Sequence, residues 1–438
     1  MLSIVKNNLM NIKLKKNSKT WVVYILRCSD ESLYTGITNN IEKRLAAHQQ
    51  GKAAKYTRSR RPIELLVTSA AMKKIVAMRL EIKIKRQPKE KKVSTLKKHA
   101  PRKSPAAGIK SKTRVVAGKE KSLFSRETLK AVAGMWQVHL KKIHHKIPVQ
   151  GSPERSCFRV VLEDRDKRFF LLEQITRQSL ENKKQIAAIL DSLAGKQLLQ
   201  INPYLADGKG NHILENQNNF WQLSPFIPGV ELDREKYIFE QWRGIVLADF
   251  LITLHRKSQT MTTAGSRGLF SLKNYVYKLV REINLYNKDI KIDISGVVDF
   301  LEEDFMSAYE QLPVAFCHGD YHPLNIIWST DGIQCVIDWE FCGLKSELYD
   351  VANLIGCVGV ENPQSLPGDM VRSFIGKMKK SGTISKMSWK YLPEFIVALR
   401  FAWLAEWLRF RDREMIRLEL DYMKLLMDNK TVLQKSWL

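Results

Sequence analysis

Apolar and polar positions alternate in short runs through the first hundred residues. After residue 20 the alternation is typical of β-strands, and polar turns separate the runs. Asn39 and Asn40 precede a stretch with helical spacing, and Gly51 ends it. This pattern predicts strands at Trp21–Leu26, Leu33–Thr38 and Ile63–Val67, with helices at Ile41–Gln50 and about Lys73–Lys85. Residues 20–97 are therefore predicted to form a small domain of mixed helix and strand.

A second and larger region of apolar periodicity runs from residue 123 to residue 438. Its first hundred residues predict mixed elements: helices at Ser125–Trp136 and Gln178–Leu190, and strands at Cys157–Leu162, Arg168–Leu172 and Asn219–Leu223. The remainder is mostly helical. A strand-rich lobe (about 123–223), an extended connector (about 224–229) and a helical lobe (about 230–438) are expected.

Three polar residues stand between short apolar strands in the helical lobe. Asp320 and Asn325 lie five positions apart in one loop, and Asp338 follows the next pair of strands. Protein kinases use the same order: an aspartate that accepts the substrate proton, then an asparagine and an aspartate that bind Mg²⁺. Each residue taken singly could be an ordinary turn or strand-end residue. In this order they indicate phosphoryl transfer.

Charge adds a second expectation. The 438-residue chain has a formal net charge of +27 and a pI of about 9.7, which implies a polyanionic partner, solubility through self-repulsion, or both. Residues 1–19 are predicted to be a disordered basic N-terminus. Residues 98–122, the end of a Lys- and Arg-rich tract that begins near Arg86, are predicted to be a flexible basic linker. The tract serves either solubility or non-specific contact with nucleic acid.

Cysteine usage and apolar run length indicate the compartment. The six cysteines include no CxxC pair, which argues against a zinc site or a disulfide framework. The N-terminus has no secretory h-region, and no apolar run has the length of a membrane span. A cytoplasmic protein without a membrane partner is expected.

The N-terminal region carries, in this order, Tyr24-Ile25, Tyr34-Thr35-Gly36, Arg44, His48, Tyr56 and Glu81. This ordered set resembles the GIY-YIG nuclease superfamily, in particular its small stand-alone bacterial branch. The resemblance implies that Glu81 holds one divalent ion (Mg²⁺ or Mn²⁺), that Arg44 binds the scissile phosphate, and that Tyr24, Tyr34 or His48 activates water. Two residues have simpler readings, because Tyr24 could be a core residue and Glu81 a solvated partner of Lys85. Whether the domain cleaves nucleic acid or only binds it stays open.

Residues 123–438 resemble the aminoglycoside phosphotransferase and choline-kinase-like superfamily. The resemblance implies that Asp320 is the catalytic base, that Asn325 and Asp338 bind Mg²⁺, and that Ser224 and Phe226 of the connector lie beside the adenine of ATP. His318 and Asp350 would organise the loop, and Glu340 could assist the metal.

One departure from this family concerns the nucleotide phosphates. Kinases place a lysine on the third strand to hold them, but this chain has Leu171-Leu172-Glu173-Gln174-Ile175. Either Gln174 serves there, as in some N-acetylhexosamine kinases of the superfamily, or another cation such as Arg168 or Arg177 substitutes. The first alternative favours a sugar-like acceptor. An inactive kinase-like domain remains a third alternative.

The expected fold class is thus α+β and multidomain, with a small GIY-YIG domain followed by a bilobal protein-kinase-like fold. The expected function is ATP- and Mg²⁺-dependent phosphorylation of a small-molecule hydroxyl, fused to a nuclease-like module that contacts nucleic acid. The alternative is a metal-dependent endonuclease with a regulatory or inactive kinase-like domain.

Overall fold

The computed structural model describes most of the chain, in two compact units, residues 1–120 and 121–438. The described residues are 21–38, 40–49, 57, 60–72, 80–81, 84, 89–100, 124–145, 147, 149, 156–233, 236–261, 268–287 and 290–437. The predicted disordered N-terminus, residues 101–122 of the predicted linker, and Tyr56 lie outside them.

The first unit is built on a three-stranded antiparallel sheet with strand order β2-β1-β3. Its elements are β1 (Val22–Arg27), β2 (Leu33–Thr38), α1 (Ile41–Gln49), β3 (Glu64–Thr68) and α2 (Lys89–Lys97). The central strand β1 is buried on both faces. Val23 and Ile25 pack on one side with Leu80, Ile84 and Leu96. Tyr24 and Leu26 pack on the other side with Cys28 and Ile63.

Helix α2 lies in the basic tract that begins near Arg86. It belongs to the small domain and ends at Lys97, just before the predicted flexible linker (98–122). Val93 and Leu96 are spaced three apart, and both pack against the core beneath β1. Four lysines among nine residues hide this short apolar stripe in the sequence.

The second unit begins with a five-stranded antiparallel sheet of order β4-β5-β6-β8-β7. Its elements are α3 (Arg126–Gly134), β4 (Leu140–His144), β5 (Ser156–Asp164), β6 (Phe169–Ile175), α4 (Leu180–Gly195), β7 (Ile213–Asn216) and β8 (Asn219–Pro225). One face of the sheet packs against α3 through Leu172, Trp221 and Leu223. This is the strand-rich lobe that the pattern predicted, with β4 and β7 added at its two edges.

The rest of the second unit is a helical lobe around one large apolar core. Its helices are α5 (Gln241–Ser258), α6 (Leu272–Tyr286), α7 (Lys291–Glu302), α8 (Phe305–Ala308), α9 (Tyr349–Glu361), α10 (Asp369–Ser381), α11 (Lys386–Lys390), α12 (Leu392–Phe410), α13 (Arg413–Asp428) and α14 (Lys430–Trp437). No helix in the described part of the chain is long and apolar enough to cross a membrane.

Two small antiparallel strand pairs in this lobe carry the polar loops. β9 (Val314–Cys317) pairs with β12 (Gly343–Ser346), and β10 (Ile326–Trp328) pairs with β11 (Ile333–Val336). The loop with Asp320 connects β9 to β10, and Asp338 follows β11. The chain order of strand, polar loop, strand, turn and strand is the order that the sequence predicted.

Candidate functional site

The loop between β9 and β10 is hydrogen-bonded to the buried carboxylate of Asp350, which lies at the start of α9. The backbone N–H of His318 donates to Asp350 Oδ2 (2.6 Å), and that of Gly319 donates to Oδ1 (2.8 Å). Burial raises the pKa of Asp350 to about 6, although the two N–H groups oppose the shift. Asp350 therefore fixes the backbone that leads into Asp320.

His318 adds a second constraint on the same loop. Its ring is fully buried, and its Nε2 lies 3.1 Å from the carbonyl oxygen of Ile337. Since a carbonyl can only accept, Nε2 carries the proton and Nδ1 accepts the backbone N–H of Asp320 (3.2 Å). Burial lowers the pKa of His318 to about 4, so the ring stays neutral. It ties the loop to the end of β11.

Asp320 is held as a carboxylate. Burial disfavours its charged form, but His322, with Nε2 3.5 Å from Oδ1, together with the His318 ring and the Asn325 amide, keeps its pKa below the ordinary value. The Asn325 amide nitrogen donates both to Asp320 Oδ2 (3.0 Å) and to the Asp320 carbonyl (2.9 Å). An oriented carboxylate of low pKa can position a hydroxyl and accept its proton during the reaction.

Asn325 and Asp338 are brought together by the backbone. The N–H of Ile337 donates to the carbonyl of Asn325 (2.9 Å), so Asp338 follows directly after this link. Asp338 has φ 66° and ψ 60°, a left-handed conformation in which aspartate occurs more often than most residues.

The donor set fits Mg²⁺. Because the Asn325 nitrogen is bonded to Asp320, its oxygen is the atom left to coordinate, and Asp338 supplies a carboxylate. Mg²⁺ commonly takes one or two protein oxygens and completes its shell with water and phosphate. The described residues contain no cluster of three or more His, Cys, Asp or Glu side chains suited to a metal. A site of two protein ligands is consistent with both observations.

Gly319 is required by a close approach. Its φ is 82°, and a Cβ placed there would overlap the carbonyl oxygen of Phe341. The loop and the segment after Asp338 thus touch through bare backbone.

Glu340 is joined to the strand-rich lobe. Lys183 Nζ of α4 lies 2.5 Å from Glu340 Oε1, and Asn182 donates to Oε2 (2.8 Å). Both charged side chains are nearly inaccessible, at 4% and 7% exposed. Burial disfavours the charged form of Lys183, but Tyr204, Glu173 and Glu340 outweigh it and raise its pKa. This buried ion pair connects α4 to the turn that follows Asp338.

Glu173 of β6 is bound by two neighbouring strands. Arg159 of β5 donates to its Oε1 through Nε (2.9 Å) and Nη2 (2.6 Å), and Gln222 of β8 donates to Oε2 (2.7 Å). Gln174 lies on the other face, where its nitrogen donates to Asn219 (2.7 Å). Of the two alternatives for the missing lysine, this geometry favours another cation over Gln174.

The connector after β8 begins inside the sheet. Ser224 is buried and pairs in register with Leu171, and the N–H of Phe226 donates to the carbonyl of Phe169 (2.8 Å). That N–H is therefore not available to a nucleotide. Ser224 and the half-buried Phe226 lie where the strand-rich lobe meets the rest of the unit.

A cavity of about 460 Å³ lies beside the segment that Gly319 touches. It is lined by Gly268–Ser271, Asn274 and Phe341–Lys345. The Lys345 ammonium lies over the rings of Phe270 (4.8 Å) and Tyr349 (5.2 Å). None of the described residues that line the cavity carries a carboxylate. The volume suits a small molecule.

In the first unit the predicted residues Tyr24, Tyr34, Arg44 and His48 form one cluster. Tyr24 Oη is 2.8 Å from His48 Nε2, and Arg44 Nε donates to the same Oη (3.1 Å). The ring of Tyr34 lies 6.2 Å from that of Tyr24 and 5.1 Å from that of His48, between centroids. His48 Nδ1 is 2.6 Å from the hydroxyl of Thr57, a residue that the sequence reasoning left out.

Burial sets the protonation of this cluster. It raises the pKa of Tyr24, and burial together with Arg44 lowers the pKa of His48 to about 4. Tyr24 is therefore a neutral phenol, and His48 is a neutral imidazole. The arrangement that satisfies every donor has Tyr24 donating to Nε2 and Nδ1–H donating to Thr57. His48 Nε2 is then the acceptor of the hydrogen bond from the tyrosine hydroxyl.

Gly36 and Glu81 are the remaining described residues of the predicted set. A Cβ at Gly36 would come within 2.7 Å of Tyr24 Oη, so glycine is needed for the tyrosines to pack. Glu81 is helical and half-buried, next to Leu80, which packs under β1. The simple core reading of Tyr24 is incomplete, because its buried hydroxyl is bonded to both His48 and Arg44.

Comparison with known proteins places each unit. Residues 154–375 match the family model of the phosphotransferase enzyme family, and residues 20–94 match that of the GIY-YIG catalytic domain. The chain belongs to the phosphotransferase enzyme family and carries a GIY-YIG domain. A UPF0213 protein of Oceanobacillus iheyensis is 51% identical over 74 residues, 17% of this chain and 86% of the relative. A UPF0213 protein of Nitratidesulfovibrio vulgaris is 47% identical over 81 residues, 18% of this chain and 74% of the relative. Both recognitions made from the sequence are confirmed.

Two solved structures share the fold. An aminoglycoside phosphotransferase from Alicyclobacillus acidocaldarius superposes with a TM-score of 0.52 at 13% identity, covering 74% of this chain and 98% of that one. The amicoumacin kinase hAmiN, solved with AMP-PNP, Ca²⁺ and Ami, gives 0.53 at 12% identity, with 70% and 94% covered. The expected fold class is confirmed: a small α/β domain precedes a kinase-like fold.

Proposed function

We propose that the second unit of this phosphotransferase-family chain is an ATP- and Mg²⁺-dependent kinase that phosphorylates a hydroxyl of a small molecule. The observation that carries the proposal is the bonded set of Asp320, Asn325 and the Asp338 turn. Asp320 holds the acceptor hydroxyl and takes its proton. The hydroxyl oxygen forms a bond to the γ-phosphorus, the bond from that phosphorus to the bridging oxygen breaks, and ADP leaves with the electron pair.

The metal ligands of the proposed site are Asn325 and Asp338. Mg²⁺ bound there supplies charge neutralisation of the phosphates. Asp350 and His318 hold the backbone that carries Asp320, and the pair of Lys183 with Glu340 holds the turn after Asp338. These contacts keep the reacting groups oriented, which is the main protein contribution to phosphoryl transfer.

The acceptor is proposed to bind in the cavity lined by residues 268–271, 274 and 341–345. Its lining contributes aromatic surface, polar backbone and the Lys345 ammonium. A polycationic aminoglycoside would find no counter-charge among the described lining residues. A neutral or sugar-like hydroxyl compound needs no counter-charge and therefore suits this lining better. Apolar walls with a few polar groups are usual for such sites.

ADP release by the full-length protein tests this proposal. MgATP and a panel of sugars, amino alcohols and aminoglycosides are supplied to wild type and to Asp320→Asn. The variant should lose turnover by about 10² to 10⁴ and bind MgATP as wild type does, because an amide cannot accept the proton. Turnover in Asp320→Asn equal to wild type would contradict the role of Asp320.

A second function is favoured by the cluster of Tyr24, His48 and Arg44. We propose that the first unit hydrolyses phosphodiesters of nucleic acid with one divalent ion on Glu81. Arg44 binds the scissile phosphate, and Tyr24, Tyr34 or His48 activates the attacking water. The alternative, in which this is the main activity and the kinase-like unit regulates it, differs in predicting no ADP release with any acceptor.

Nicking of supercoiled plasmid in Mg²⁺ or Mn²⁺ tests the second function. Glu81→Ala and Tyr24→Phe should each lose activity by at least about 10². Arg27→Ala, in the same sheet but paired with Glu64, is the matched control and should nick as wild type does. Equal nicking by all four proteins would contradict the assignment.

A further inference from the structure

The strand position that should carry a phosphate-binding lysine carries a buried carboxylate instead. Glu173 is 3% exposed, and Arg159 and Gln222 bind its two oxygens. A carboxylate near nucleotide phosphates would repel them unless a cation compensates. Arg159 makes two hydrogen bonds to one of these oxygens and so pairs the carboxylate with a cation.

The strand register puts these side chains on one face of the sheet. Arg159 lies directly opposite Glu173, and Glu173 lies directly opposite Gln222. Their neighbours Val160, Leu172 and Leu223 point to the other face, into the core with α3.

The contacts of Lys183 show which part of the second unit this face of the sheet is directed to. Lys183 Nζ lies 5.8 Å from the centre of the Tyr204 ring, and both Tyr204 and Glu173 are close enough to shift its pKa, so α4 lies on the same side of the sheet. Lys183 in turn contacts Glu340, two residues after Asp338. Arg159 and Glu173 therefore face the lobe that carries Asp320 and Asp338.

Other cations near this position are engaged elsewhere. Arg168 is at the turn between β5 and β6, where it pairs with Asp164 and Asp166 and its side chain is 63% exposed. Arg177 donates to Asn218 and lies over the ring of Phe220.

Lys183 is enclosed, with a side chain 4% exposed, whereas the Arg159 side chain is 23% exposed. Among these four cations, Arg159 is both fixed in place on the α4 face and accessible to a ligand.

We propose that Arg159 binds the α- and β-phosphates of the nucleotide and that Glu173 is its positioning residue. The phosphate-binding cation of this site is then Arg159 on β5, and its carboxylate partner is Glu173 on the neighbouring strand β6. A guanidinium has five N–H donors in a planar fork, so it can bind a carboxylate and a phosphate at once. The inference rests on the proposed nucleotide site of the second unit.

Calorimetric binding of MgATP and of adenosine to the full-length protein tests the inference. Arg159→Ala should bind MgATP about 10- to 100-fold more weakly, because a charged hydrogen bond to phosphate is lost. Its affinity for adenosine should change by less than about 2-fold, since adenosine has no phosphate. Arg159→Gln keeps a donor for Glu173 and should show the same selective loss if the alanine variant does not fold. Arg168→Ala is the matched control and should bind both ligands as wild type does.

Four results would overturn the inference. The affinity for MgATP could be unchanged in both Arg159 variants. Alternatively, the affinities for MgATP and adenosine could fall equally, and an equal fall would indicate a purely structural role of Arg159. Lys183→Ala could instead show the phosphate-selective loss while the Arg159 variants do not. Wild-type protein that binds neither ligand would overturn the proposed nucleotide site as well. Unchanged binding in the Arg159 variants, with normal wild-type binding, overturns this inference alone.

Discussion

Replacing Lys183 by methionine tests the buried ion pair that joins the two lobes of the second unit. Methionine has a similar length and a similar helix propensity, so the change removes mainly the charge. Glu340, whose side chain is 7% exposed, would keep its hydrogen bond from Asn182 and lose its counter-ion. Breaking one partner of a buried pair typically costs about 3–5 kcal/mol. We expect the free energy of unfolding to fall by about that amount.

Neutralising the partner should restore most of the loss. Lys183→Met combined with Glu340→Gln leaves no uncompensated buried charge, and its free energy of unfolding should lie within about 2 kcal/mol of wild type. Lys184→Met is the matched control. Lys184 is the next residue on α4, its side chain is 54% exposed, and it pairs with the exposed Glu181. That change should cost less than about 1 kcal/mol.

Urea unfolding followed by tryptophan fluorescence measures these differences. Nine of the ten tryptophans fall in residues 121–438, and Trp21 is the exception, so the signal reports mainly on the second unit. If Lys183→Met loses no more stability than Lys184→Met, the buried ion pair contributes no more than the exposed one. A double variant as unstable as Lys183→Met would show that the lost charge pairing was not the cause.

Further predictions concern the two sites and their surroundings. Burial lowers the pKa of His255 to about 4. As pH falls from about 6.5 to 4, the His255 imidazole is therefore protonated in the unfolded chain but stays neutral in the folded unit. Over that range wild type should lose roughly 3 kcal/mol more stability than His255→Gln, measured by urea unfolding at each pH. Gly319→Ala forces a Cβ against the Phe341 carbonyl, and ADP release should fall by at least about 10² because Asp320 is displaced. Gly36→Ala places a Cβ against the Tyr24 hydroxyl and should abolish nicking while leaving ADP release unchanged. DNA binding by the full-length protein, measured by fluorescence anisotropy, should weaken steeply as salt rises; salt-independent binding would contradict contacts to phosphates.

Much of the fold follows from local sequence pattern. The strand Leu33–Thr38 was predicted at its observed bounds, since its alternating apolar residues are framed by a turn and by Asn40. β4 was not predicted, because Leu140–His144 has two adjacent lysines and gains its strand pairing only from β5. β7, at the other edge of the sheet, was missed because a run of four residues shows too little alternation, and its strand pairing comes only from β8.

The candidate sites divide in a similar way. Residues close in sequence, such as Asp320 and Asn325, could be paired from spacing and chemistry. The contact of Lys183 with Glu340 joins residues far apart in the chain and depends on how two lobes pack. The partner of Glu173 depends on the register between β5 and β6, which no local pattern specifies. Arg159 was therefore absent from the sequence-based site, although Glu173 marked its position as anomalous.

The proposed reaction of the Asp320 loop is the transfer of a phosphoryl group from a nucleotide to a hydroxyl. ADP release by the full-length protein across the acceptor panel, with Asp320→Asn assayed in parallel, measures this reaction. Wild type should release ADP only when an acceptor is present, and Asp320→Asn should release about 10² to 10⁴ less while it keeps its MgATP affinity. Absence of acceptor-dependent release in wild type, together with no binding of MgATP, would contradict the proposed reaction.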